Sequence, residues 1–217
     1  MFKDRTDAGR QLARALKEYK DQGVLVLAIP RGGVEVGYRV ADYLNADFSI
    51  IITRKLPFPD NPESGFGAIA EDGSTFINER AVRLVPPDTV ELIKKEQIRE
   101  IERRKEELRG GEPHPDISGR TVILVDDGIA MGSTMTASIF SCRNQGAGTI
   151  VAAAPVSGPD TARALENEAD RVVVLEMPRF FRAVAQVYRN WYDVPDKEVL
   201  AILRRWSRHL PMSAADR

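Results

Sequence analysis

Two adjacent aspartates, Asp126 and Asp127, follow an apolar run and lead into a glycine-spaced hydroxyl turn, in the stretch "VILVDDGIAMGSTM" from Val122 to Met135. Paired carboxylates accept hydrogen bonds from neutral hydroxyls and repel anions. Gly128 and Gly132 let the backbone approach a ligand closely. Amides of Ile129, Ala130, Met131, Gly132, Ser133 and Thr134, opening a helix, form an anion site aided by the helix dipole. Ser133 and Thr134 add hydroxyl donors. One phosphate beside one vicinal diol describes a ribose 5-phosphate.

Other readings of the stretch fail on spacing. A Walker loop needs Gly-x4-Gly-Lys-Ser/Thr, whereas the interval from Gly128 to Gly132 is wrong and carries no lysine. The stretch "RGGVEVG" from Arg31 is not the dinucleotide fingerprint, because its first two glycines are adjacent. A haloacid-dehalogenase phosphatase spaces its aspartates two apart. A receiver domain does have adjacent acids, but they open the domain, and it leaves the phosphate turn unexplained. The remaining alternative is that the acids simply cap the following helix.

Strand ends must position such groups. Val24–Ile29, "VLVLAI", is apolar throughout and reads as a strand buried on both faces. Phe48–Thr53, Val122–Val125, Thr149–Ala154 and Arg171–Leu175 read as further strands. Between them lie helical patterns: Asp4 to Lys20 with Leu12, Ala15, Leu16 and Tyr19 on one side, Val34 to Leu44, and the run after Thr134. Repeated strand–helix units imply a mostly parallel sheet covered on both faces. Asp88 to Arg109 predicts a long charged helix whose thin stripe is Val90, Ile93, Gln97, Ile101 and Leu108. Gly110 to Ser118 is a linker. Lys55 to Gly73, rich in Pro, Gly and Asn, is too long for an ordinary connection and reads as a flexible loop.

The chain has 217 residues, enough for one substantial core, and its 32 acidic and 31 basic residues nearly cancel. That balance argues against non-specific binding to nucleic acid or to a membrane surface. Cys142 is the single cysteine, which excludes an intrachain disulfide and a thiolate zinc cluster; it reads as an inert packing thiol. No apolar leader or membrane-length run is present, so a cytoplasmic protein is expected. His114 and His209 are too isolated to be catalytic candidates, and Ser213 to Arg217 reads as a frayed tail.

"VILVDDGIAMGST" closely resembles the 5-phosphoribosyl 1-pyrophosphate (PRPP) signature of type I phosphoribosyltransferases. The resemblance implies a three-layer α/β/α Rossmann-like fold with a mostly parallel central sheet and a small hood. It implies that Asp126 and Asp127 contact the ribose hydroxyls and that Gly128 to Thr134 cradle the 5-phosphate. "AIPRGGVEVG", Ala28 to Gly37, looks like the family's pyrophosphate loop, which often contains a non-proline cis peptide. Arg31, Gly32 and Gly33 would then face the pyrophosphate. Arg54 and Lys55 stand where many relatives carry basic pyrophosphate contacts, or alternatively form a solvated strand end. Segment 55–73 matches the family's catalytic hood loop in position. "NPESGFGAIAEDG" and "AVAQVYRNWYDVPDKEV" also resemble a prokaryotic phosphoribosyltransferase-like group whose substrate is uncharacterised.

By this resemblance the function is transfer of phosphoribosyl from PRPP to a nitrogenous acceptor, a nucleobase, with Mg2+ bound through PRPP rather than by a dedicated protein site. Asp126, Asp127 and Lys55 are the candidate catalytic groups, stabilising charge and position, and either acid could also reach the metal. The competing reading is a PRPP- or nucleotide-sensing protein on the same fold, which would not need Arg31, Arg54, Lys55 and the hood intact. Two positions depart from the family pattern: Met131 where relatives commonly carry a threonine, and Ala130 where hypoxanthine-guanine enzymes carry an aspartate. Residues 1–176 are expected to form the core. Residues 177–210 are expected to form a helical hood or homodimer element holding Phe180, Phe181, Tyr188, Trp191, Tyr192 and Trp206, which either stack on a base or serve as core. Glu71 reads as a loop-surface acid.

Overall fold

The computed structural model describes residues 1–208; His209, residue 210 and the tail from Ser213 lie outside the described residues. Five parallel strands form the central sheet: β1 (Leu25–Ala28), β2 (Asp47–Ile50), β6 (Thr121–Val125), β7 (Thr149–Val156) and β8 (Arg171–Glu176), in the order β2-β1-β6-β7-β8. Three more strands, β3 (Thr53–Phe58), β4 (Asn61–Ala70) and β5 (Thr75–Ile77), make a small antiparallel sheet. The helices are α1 (Arg5–Ala15), α2 (Gly32–Leu44), α3 (Glu79–Val82), α4 (Pro87–Arg109), α5 (Ser133–Asn144), α6 (Pro159–Leu165) and α7 (Asp196–Ser207).

The continuous apolar runs follow from burial on both sheet faces. Val26, Ala28, Ile123, Val125, Val151 and Ala153 point into one core shared with α1, α2 and α7. Their neighbours Leu25, Leu27, Val122, Leu124, Ile150 and Ala152 point into the other, with Met135, Ile139 and Cys142 of α5. Alternation with period two distributes one apolar run between two cores. Burial pushes the Cys142 thiol up to about 12, which leaves it inert. On the first helix Ala15 is exposed, and Ala8 and Ala13 are buried beside Leu12 and Leu16. The helical pattern breaks after Ala15 into a short 3-10 turn at Lys17–Tyr19. Among the described residues no helix is long and apolar enough to cross a membrane.

Two expected elements differ. The run from Phe48 to Thr53 splits, because the Ile52 amide donates to a Glu71 carboxylate oxygen at 2.9 Å instead of to a neighbouring strand. Ile51 and Ile52 stay buried, which is why the sequence shows no break. Segment 55–73 is a β-hairpin rather than a loop. Strands β3 and β4 pair from Thr53↔Ala70 to Phe58↔Asn61, with irregular register around Pro57. Its glycines are packing positions: a Cβ at Gly67 would overlap the Phe76 carbonyl, and one at Gly65 would crowd the Leu56 carbonyl. Leu56 and Phe66 anchor the hairpin in the core.

The thin stripe on α4 is buried as expected at Val90, Ile93, Ile101 and Leu108. The C-terminal segment is only partly helical. Val184–Val187 is a 3-10 turn and α7 begins at Asp196, while residues 187–190 run beside the N-terminus. There the Phe2 amide donates to Val187 O at 2.7 Å and the Arg189 amide to Phe2 O at 2.9 Å. Trp206 packs edge-on against Tyr38 and Phe48, so this aromatic belongs to the core.

Glu71 is no surface acid. Its side chain is 7% exposed and forms an ion pair with the Arg109 guanidinium, which is 6% exposed. Removing one partner of a buried pair strands the other charge, at a cost of about 3–5 kcal/mol. Glu71→Ala is therefore expected to lose that much stability in urea denaturation. A loss under about 1 kcal/mol, the range of an exposed pair, would contradict the burial.

Candidate functional site

The strand order reverses between β1 and β6: the chain goes outward to β2 and returns to β6 on β1's other side. In parallel α/β sheets such a reversal opens a crevice beyond the strands' carboxyl ends. The turn Pro30–Gly33 leaves β1 there, and the stretch Asp126–Gly132 leaves β6 beside it.

These two turns touch. A Cβ at Gly32 would overlap the Asp127 carboxylate, and one at Gly33 would meet Val125 O, Asp126 Cα and Asp126 Oδ1. Glycine is required at both positions by this close approach. The Pro30–Arg31 peptide is cis, as the resemblance implied.

The two acids are held differently. Asp127 is buried, and its Oδ2 accepts from Arg5 Nε at 2.7 Å. Arg5 Nη1 donates to Tyr192 O at 2.9 Å, and its guanidinium lies 4.0 Å from the centre of the Trp191 ring. The Tyr188 hydroxyl donates to Asp127 O at 2.6 Å. Asp126 is partly accessible, and among the described residues it forms no ion pair; its Oδ1 accepts from the Asp127 amide at 2.8 Å. Burial pushes the Asp126 carboxyl well above the usual range, and the charge of Asp127 adds to this. Burial acts in the same direction on Asp127, opposed by the Arg5 guanidinium.

The glycine-spaced loop is held near its start, at Ile129 and Ala130. The Ile129 amide donates to Val156 O at 2.8 Å, and Thr161 Oγ1 donates to Ala130 O at 2.9 Å. Gly132 adopts φ +79° and caps α5, so the free amides of the first helical turn, at Ser133 and Thr134, open onto the loop. Gly128, Ile129, Ala130, Met131, Gly132, Ser133 and Thr134 line a pocket of about 260 Å³ together with Lys55 and Gly65 of the hairpin. Met131 is 59% exposed at its rim.

The basic candidates separate. Lys55 lines the pocket, but its neighbour Arg54 points to the other face of β3 and donates from Nε to Gln97 Oε1 at 3.1 Å. Burial and the nearby Arg104 charge lower the Arg54 pKa. Arg31, 40% exposed, has Nη1 3.8 Å from Asp196 Oδ1 at the start of α7. Sequence reading missed Arg5 and the Tyr188 contact. One signal for Arg5 was present: a cation in the first turn of a helix, directly after the capping Asp4, is disfavoured by the helix dipole and needs a nearby anion.

A doubly wound parallel sheet with an acid pair and a glycine-spaced loop at its switch point defines a Rossmann-like α/β protein. Residues 3–190 match the phosphoribosyl transferase domain family, and the chain belongs to that family. Two Mycobacterium tuberculosis proteins, from strains CDC 1551 and H37Rv and provisionally named phosphoribosyl transferases, are each 40% identical over 217 residues, covering 99% of this chain and 49% of theirs. The chain thus spans about half the length of these curated relatives. The crystal structure of TT1426 from Thermus thermophilus superposes with a TM-score of 0.80 at 35% identity, over 95% of this chain and 99% of that one.

Because the Gly32 Cβ position is filled by the Asp127 carboxylate, Gly32→Ala must push the two turns apart. Overpacking of this kind costs about 1–3 kcal/mol. Urea denaturation is expected to show that loss; unchanged stability would mean the turns are not in contact.

Proposed function

We propose that this protein binds PRPP with Mg2+ and transfers its phosphoribosyl group to a nitrogenous acceptor of the nucleobase class, releasing pyrophosphate. The observation that carries the reading is the pocket formed by Gly128–Thr134 and Lys55, adjoining an acid whose carboxylate has no cationic partner among the described residues. The loop amides and the hydroxyls of Ser133 and Thr134 hold the 5-phosphate, without the Ile129 amide that the sequence suggested, because that amide already donates to Val156 O. Met131 supplies no hydroxyl, so the amides carry the larger share. Asp126 and Asp127 form the acidic wall beside the sugar. Lys55 and the Arg31–Gly33 turn bind the pyrophosphate as the C1–oxygen bond breaks and the C1–nitrogen bond forms. The positive charge that develops on the sugar ring sits against the acid pair.

Among the described residues no three His, Cys, Asp or Glu side chains gather to hold a metal. A magnesium ion would arrive with the substrate's phosphates, Asp126 and Asp127 being the acids that could reach it, and would supply charge neutralisation to the leaving pyrophosphate. We assign to the hairpin β3–β4 the task of the hood, excluding water from the pocket beside Lys55 when substrate binds. We place this activity in the cytoplasm and in a homodimer, without nucleic acid or membrane as partner.

A non-catalytic sensor is favoured by one observation, the turning of Arg54 toward Gln97. Turnover is the reading supported by Lys55 at the pocket and by the glycine turn packed on the acid pair.

Binding at 100 times Kd stabilises a protein by about 2.7 kcal/mol. For a chain of this size that corresponds to a rise in Tm of roughly 5–10 °C. Millimolar PRPP with Mg2+ is expected to give this shift in a thermal melt, and ribose alone none. An unchanged Tm with PRPP/Mg2+ would remove the proposed ligand. Pyrophosphate released from PRPP on adding a base panel separates enzyme from sensor.

A further inference from the structure

Helices α2 and α7 lie side by side and run in the same direction. At their starts Arg31 Nη1 stands 3.8 Å from Asp196 Oδ1, and further along Tyr38 meets Trp206 with ring centres 5.8 Å apart. Between them, walled also by Tyr192 and Val194, is a cavity of about 250 Å³ that shares no residue with the Lys55 pocket. Its two ends differ in charge. Glu35 and Glu198 line it near the helix starts, whereas Arg39 lies one turn further along α2 and Arg205 two turns further along α7. At 1.5 Å per residue the acidic and basic ends are about 6–10 Å apart.

Each end has bonding capacity left over. Arg39 Nε is buried and has no hydrogen-bond partner among the described residues, a cost that a ligand acceptor would remove. The guanidinium carbons of Arg39 and Arg205 lie 5.2 and 5.5 Å from the centre of the Tyr38 ring, so two cations converge on one aromatic. At the other end Glu35 Oε1 accepts from Thr6 Oγ1 at 2.7 Å, and Glu198 Oε2 accepts from the Tyr192 hydroxyl at 2.9 Å. Those bonds orient both carboxylates and leave the second oxygen of each to accept. Tyr38, Val194 and Ile202 supply apolar surface between the ends. We propose that this cavity is a second small-molecule site, and that it takes an elongated zwitterion. The ligand has a flat apolar body, a carboxylate at the Arg39–Arg205 end and an ammonium at the Glu35–Glu198 end. An α-amino acid does not meet this requirement, because its two charged groups sit on one carbon and do not span the cavity.

The probe is 4-(aminomethyl)benzoate, whose two charges lie at opposite ends of one ring. Calorimetric titration is expected to show it binding about tenfold or more tighter than benzoate or benzylamine, each of which lacks one charged end; loss of a charged hydrogen bond has that effect. Phenylalanine, with both charges on one carbon, should bind no better than these fragments. Arg39→Met is expected to reduce the probe to the affinity of benzylamine, and Arg39→Lys to recover part of the loss. If Arg39→Met does not fold, Glu198→Gln carries the test and should reduce the probe to the affinity of benzoate. Failure of the probe to bind, equal binding of the probe and its one-charge fragments, or unchanged binding in either folded variant would overturn the proposal. Because the two cavities share no residue, the outcome is independent of whether the Lys55 pocket binds PRPP.

Discussion

The structure depends on the buried ion pair between Arg5 and Asp127. It joins three parts of the chain that are distant in sequence: the first residue of α1, the carboxyl end of β6 and the segment around Trp191. A lone buried charge costs several kcal/mol, so neither group tolerates loss of the other. The cation also sits against the positive end of its own helix dipole, which makes Asp127 its necessary partner. The N-terminal residues are held in register for this by Phe2, which packs on Tyr188 with ring centres 5.6 Å apart and pairs its backbone with residues 187–189. Tyr188 in turn donates to the Asp127 carbonyl. Residues at the start of α1 and the segment 188–192 thus close on one aspartate.

Around that fixed point the sheet topology does the remaining positioning. The switch between β1 and β6 brings two turns together, and glycines at 32 and 33 allow them to meet without side chains between them. The antiparallel hairpin then places Lys55 and Gly65 opposite the Gly128–Thr134 loop. A crevice results in which an anion loop, a lysine and a partly accessible aspartate converge from different elements. The loop is held by Thr161 at Ala130 and by Val156 at Ile129, and Gln97 turns Arg54 away from the crevice.

Much of this was legible in the sequence. "VLVLAI" and "VILV" are apolar throughout because both sheet faces are covered, and "DDGIAMGST" announces its loop through glycine spacing and hydroxyls. What escaped was decided by long-range contacts. Gly65 and Gly67 looked like loop residues, but they are glycines because Leu56 O and Phe76 O press on them across a hairpin. Glu71 looked like a surface acid because its partner Arg109 is 38 residues away. Arg54 and Lys55 looked like a basic pair, yet strand alternation sends them to opposite faces. Arg5 left only a faint trace, as a cation in a first helical turn, and the 122-residue separation from Asp127 concealed the rest.

The central claim is that this crevice holds PRPP with its phosphate on the Gly128–Thr134 loop. A crystal structure of the protein with PRPP and Mg2+ tests it most directly. The account predicts the 5-phosphate on the amides of that loop, sugar hydroxyls on Asp126 and Asp127, pyrophosphate against the Arg31–Gly33 turn and Lys55, and Arg5 still paired with Asp127 Oδ2. Phosphate bound elsewhere, or a sugar that touches neither aspartate, would contradict it.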